Sequence, residues 1–378
     1  MFARPLLCIT LLCAVAAPAP ATAGQTGTAA TPEAVAAPAT VMPDSAAIRH
    51  ALADTAAFEP SWVTKEQFEK QLLLVHGKVP DPNFGLFGPR SQMWRISRYL
   101  APGLLGSGRA LVLQISHPWV TAGIDEHSIT RDDPLKRGRD TFRYILTMIY
   151  GDRDQALQAA RDVRMIHEKI RGHLPYDAGA FVAGSEYRAN ELQAMIWVHA
   201  TLWETLMVMY EQSIGPVSAT DKEKYYQETK LFAYLFGIPE SALPATWDDF
   251  VAYCEDMRRS NQLNATPASK ELAGFLFGVK GVGVFLWLPM QYEKVVTAAN
   301  LPEDLREAYG FGYGPMRKGL YKSTMWMSRV GHRITPGALT KSPAHKEAVA
   351  RIARKKAGWY TRLQLKIAFG HSRLVNDL

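Results

Sequence analysis

The segment Arg137–Asp152, RGRDTFRYILTMIYGD, followed by Arg164–Gly172, RMIHEKIRG, decides the fold. In the first segment Arg137, Thr141, Tyr144 and Met148 recur at helical spacing and form one stripe. Phe142, Ile145, Leu146 and Ile149 form the apolar face beside it. In the helical run that the second segment closes, Ala156, Ala160, Val163, His167 and Ile170 share a face, so the spacing predicts a helix that carries a histidine into the core. Asp152 or Asp154 suits its N-cap, and Gly172 suits its end.

The same three- and four-residue spacing continues outward on both sides. Beyond residue 58 there are no Val/Ile/Thr-rich alternating runs between turn signals, so the expected fold class is all-α, one large helical domain. The predicted helices are 64–75, 107–122, 134–150, 154–171, 187–212, 221–236, 246–260, 268–297, 302–308 and 343–368. Within 268–297 the run AGFLFGVKGVGVFLWLPM is broken by Lys280, several glycines and Pro289, which marks a core helix or pocket wall. Gly278–Gly283 follows no predicted strand and is not a dinucleotide loop.

At the N-terminus, Arg4, the apolar run from Leu6 to Ala17 and the small residues at Ala21, Thr22 and Ala23 read as a secretory signal peptide, residues 1–23, cut after Ala23. The run is shorter than the ~18 residues a spanning helix needs. Leu11 and Leu12 before Cys13 are not the small residues that lipoprotein processing wants. Residues 24–58 are rich in Ala, Thr and Pro and read as a linker that cannot bury a core. The folded domain is expected over 59–340, followed by a basic amphipathic C-terminal helix over 341–378.

That C-terminal stretch holds nine Lys and Arg against two acids, which accounts for the whole formal charge of +7. Its cations alternate with Val349, Ile352, Tyr360, Leu363 and Ile367, a pattern that suits packing on the body or peripheral contact with an anionic membrane. The expected location is exported, periplasmic or extracellular, where nucleic acid is not an expected partner. Cys8 and Cys13 leave with the signal, so only Cys254 remains and no internal disulfide can form. There is no C-x-x-C-H for covalent haem, and no H-E-x-x-H, G-x-S-x-G or P-loop to carry hydrolase or nucleotide chemistry.

Several residue groups could carry chemistry. Arg137 at the edge of an apolar face can pair with an anionic group, and Thr141 one turn on offers a hydroxyl. His167 has the small residues Val163 and Ala160 before it, which leaves room for a flat ligand, with Arg164 and Arg171 nearby to balance negative charge. Periodicity alone favours a satisfied core histidine. His199 lies on the wide apolar face of ELQAMIWVHATLWETLMVMY and invites the same two readings. QISHPWVTAGIDEHS brings His117, Asp125, Glu126 and His127 together in sequence, a set from which non-haem iron could take His117, Asp125 and His127.

Taken in order, FGPRSQMWRIS, GRALVLQISHPWVTAGIDEHS, DDPLKRGRDTFRYILTMIYGD, MIHEKIRG, WVHATLWETLMVMYE and LPEDLREAYGFGYG resemble the latex-clearing-protein and MpaB-type oxygenases, across most of the folded body. The resemblance implies a globin-reminiscent helical fold with one non-covalent haem b and its iron, reacting with dioxygen and cleaving carbon–carbon double bonds in a hydrophobic alkene or isoprenoid. It also implies that His167 is the axial iron ligand and that Arg137 and Thr141 are functional. Glu126 is the candidate for the acidic residue used as a base in some members. The rubber-cleaving members carry a lysine just before the threonine, able to occupy the distal iron position, where this sequence has Asp140. The two other readings are a non-haem iron oxygenase and an exported haem- or lipid-binding protein without turnover.

Overall fold

The computed structural model describes residues 61–79, 81–128, 134–278 and 284–375, so the expected signal and the whole of the linker lie outside the described residues. The chain runs through α1 (Lys65–Lys78), α2 (Gln92–Ser97), α3 (Leu100–Ile115), α4 (Pro118–His127), α5 (Pro134–Tyr150) and α6 (Arg153–His167). A small antiparallel pair follows, β1 (Arg171–His173) and β2 (Glu186–Arg188), with Gly172 opposite Tyr187. Then come α7 (Leu192–Ser213), α8 (Ala219–Tyr234), α9 (Trp247–Arg259), α10 (Pro267–Phe277), α11 (Val284–Asn300) and α12 (Glu303–Ala308). The last elements are α13 (Pro315–Ile334), α14 (Gly337–Thr340), α15 (Pro343–Ile352) and α16 (Trp359–Phe369).

The all-α expectation holds, and the departures from the predicted bounds have local causes. Residues 107–122 form two helices, because Pro118 has no N–H to continue the ladder and holds His117 extended, at φ −83° and ψ 118°. Residues 154–171 stop being helical at His167, and residues 186–188 are strand rather than the start of α7, which is capped by the Glu191 side chain accepting from Ala194 N. The run 268–297 forms α10 and α11, with residues 279–283 outside the described set. The single C-terminal helix is two, α15 and α16, which pack together across a break where Arg354 takes φ 54°.

The core is built on α7. This helix buries Trp197, Ala200, Trp203 and Met207 and packs chiefly on α3, which in turn packs on α11. The α3–α7 crossing is close because position 106 is glycine: a Cβ there would come within 2.7 Å of Thr205 Cγ2 and 3.1 Å of Met209 Cγ. Buried indoles find partners, Trp197 Nε1 donating to Leu113 O at 2.8 Å and Trp94 Nε1 to Ile149 O at 2.9 Å. Inside the same crossing Glu204 holds Arg109 and Arg258, each at 2.8 Å, and Arg109 also donates to Asn300 O at 2.9 Å.

Candidate functional site at the open end of the α5–α6 hairpin

Helices α5 and α6 pack against each other across a two-residue link, Gly151 and Asp152, so they run antiparallel. Asp152 forces the reversal with a capping box: its side chain accepts from Gln155 N at 2.8 Å, and Gln155 Oε1 accepts from Asp152 N at 3.0 Å. Arg137 lies near the start of α5 and His167 at the end of α6. With ~1.5 Å of rise per residue, both stand roughly 20–25 Å from the link, at the same end of the hairpin.

His167 is half-buried by surface, yet burial pushes its imidazole down to about 4, helped by the Arg164 charge and opposed by a hydrogen bond that the ring donates to the Asn190 side chain. Arg137 is likewise half-buried, and burial lowers its guanidinium pKa. A side chain facing bulk water would keep its ordinary value. Among the described residues no carboxylate pairs with Arg137.

Thr141 is exposed and donates to Arg137 O at 2.9 Å, one turn back along its own helix. Asp140 is bound to Lys136 at 2.9 Å, so its charge is compensated on the helix surface. Arg164 is committed elsewhere: it pairs with Glu168 at 3.0 Å, donates to Val63 O at 2.9 Å and lies over the Phe68 ring. Arg171 is exposed on β1, where its carbonyl meets His127 Nε2 at 3.1 Å. Glu126 accepts from the Tyr187 hydroxyl at 2.5 Å, with His127 Nε2 at 3.3 Å from the same hydroxyl. Burial and this acceptor both raise the Tyr187 pKa. This trio shares a corner of the fold with His167, because Ile170 packs against Gly123 of α4, where a Cβ would come within 3.1 Å.

The other histidines separate from His167 by their partners. Trp203 Nε1 donates to His199 Nδ1 at 3.1 Å, which puts the His199 proton on Nε2, a buried atom with no partner. That tautomer turns an N–H, not a lone pair, to the interior. His117 is fully buried with neither nitrogen bonded, against Phe181 and Trp119. It precedes α4 and His127 ends it, so the two are about 15 Å apart along a helix axis. The set His117, Asp125 and His127 cannot close on one ion, and among the described residues no three ligand-type side chains converge. That ligand set is thereby corrected.

Haem b asks for less: one neutral axial imidazole, a cation for its propionates and room beside the ligand. His167 is in the neutral form, with Asn190 on the ring as metal-binding imidazoles are usually held. Arg137 is a desolvated cation with no anion among the described residues, and Ala160 two turns before His167 is small. The residues present fit the group. Asn190 escaped the sequence reading, since a lone asparagine between β2 and α7 has no periodicity to mark it.

Fold and site together describe a helical domain with a neutral histidine and a desolvated arginine at one end of a helical hairpin. Residues 94–330, more than half of the chain, match the family described as ER-bound oxygenase mpaB/B'/Rubber oxygenase, catalytic domain. The protein belongs to that family of oxygenases. No curated protein and no solved structure matches the chain.

Proposed function

We propose that this protein is a haem b-dependent oxygenase that uses dioxygen on a hydrophobic alkene, of isoprenoid or related type, with oxidative cleavage of the double bond. The observation that carries the reading is His167: a neutral, desolvated imidazole held through one side by Asn190, within an oxygenase domain. Bound haem would supply the iron and the oxygen chemistry. The chain's own residues do the rest. His167 would hold the iron through its imidazole, with Asn190 orienting the ring. Arg137 neutralises a propionate, a role that Arg164 fills poorly while it is tied to Glu168 and Val63. Thr141 and Glu126 are the polar groups left to hold a proton or a hydroxyl near the substrate, Glu126 through its short bond with Tyr187.

The N-terminal leader ending at Ala23 supports export, which suits a substrate met outside the cytoplasm. The test is oxygen consumption by haem-reconstituted protein offered a panel of isoprenoid alkenes. Uptake that requires the alkene, with carbonyl products, is expected. Haem bound but no uptake across the panel would make the protein a binder without turnover.

A further inference from the structure

Helix α13 is attached to the body the wrong way round for an ordinary surface helix. Its inward side is held by polar ties. The Tyr321 hydroxyl meets Gln212 Oε1 and accepts from Asn300 Nδ2 at 3.0 Å, and Arg329 donates to the carbonyls of Gln212 and Glu211 at 2.8 and 2.6 Å. Only Met325 is fully buried, among Leu105, Met209 and Val296. The outward side carries the apolar residues. Met316, Leu320, Met327, Val330 and Ile334 follow a three-and-four spacing along one stripe, with Trp326 beside it. Met316 is 88 % exposed, Ile334 78 % and Trp326 65 %. An apolar stripe this long on the outside marks a surface that is covered in use.

Charge indicates by what. No Asp or Glu occurs between Glu307 and Glu347, while Arg317, Lys322 and Arg333 flank the stripe on α13 itself. A second copy docking by the same face would set these cations against their equals. An anionic lipid surface satisfies both features, taking the apolar stripe into the headgroup boundary and the cations among phosphates, with Trp326 at the interface. We propose that α13 is a peripheral docking helix that lays the protein on an anionic membrane. Among the described residues no helix is long and apolar enough to cross one.

The test uses the full chain with vesicles of phosphatidylcholine alone or of phosphatidylcholine with phosphatidylglycerol. Co-sedimentation with the anionic vesicles only, weakened by salt, is expected. The pair Leu320→Asp and Met327→Asp should reduce it about tenfold or more, as should Lys322→Glu with Arg333→Glu. All four side chains are exposed, so helicity and melting should stay unchanged. Leu73→Asp, on the exposed face of α1, should leave binding as it is. Equal sedimentation of wild type and the Leu320/Met327 pair would overturn the proposal. So would absence of vesicle binding together with a dimer that the same pair dissociates, since the occupant would then be a second copy.

Discussion

At the residue scale, the site turns on what each histidine is bonded to. Both His167 and His199 fall on apolar helix faces, and spacing alone treats them alike. They differ because Trp203, one turn after His199, donates to Nδ1, whereas Asn190 supports the His167 ring from a loop. The first partner was readable at i+4. The second depends on how β2 and α7 fold back onto α6. Asn190→Ala is accordingly expected to weaken haem affinity about 10- to 100-fold while leaving the helical content intact, measured by haem titration. An unchanged affinity would mean that the ring is oriented by something else. Asp140 also changed meaning with the structure, since its pairing with Lys136 makes it a surface charge rather than a group aimed at a ligand.

At the scale of elements, the hairpin of α5 and α6 was legible because each helix obeys one period and Asp152 is a cap that sequence can name. Asp152→Ala removes the acceptor for Gln155 N and should cost about 1 kcal/mol. Because α6 carries His167 at its far end, the loss is expected as a lower melting temperature rather than a direct loss of haem binding. A drop in haem affinity larger than the change in stability would contradict that assignment. What sequence did not reveal has physical causes. The break at His117–Pro118 interrupts a stretch whose apolar spacing runs straight through it. Helix α13 was missed because the usual signal assumes that the apolar stripe faces inward, and here it faces out, with Gly319 and Gly331 lowering the helical signal further. The tail was read as one helix because Arg354 to Gly358 carry the same charges as their neighbours, and only the backbone turn at Arg354 shows the break.

At the scale of the whole molecule, buried titratable groups set opposed slopes of stability with pH. Burial pushes His117 and His199 down from 6.5 to about 3, and His345 to about 4. Such a histidine stays neutral when folded and takes a proton when unfolded, so its contribution is complete above 6.5 and is lost as pH falls toward these values. Burial pushes Glu191 up from 4.5 to about 7 and Glu293 to about 8. A raised carboxyl contributes fully below 4.5 and loses its contribution as pH rises through its folded value. The haem-free protein should therefore melt highest near pH 6.5 and less well on both sides. Glu293→Gln should flatten the alkaline limb. A melting temperature that climbs steadily through pH 8 would contradict this balance.

All three scales meet in the claim that His167, and no other buried histidine, binds haem iron. The absorption spectrum of the protein reconstituted with haem b tests it most directly, compared with His167→Ala and His199→Ala. The account predicts a Soret band in the wild type, its loss or clear shift in His167→Ala, and its retention in His199→Ala. A Soret band unchanged by His167→Ala would contradict it.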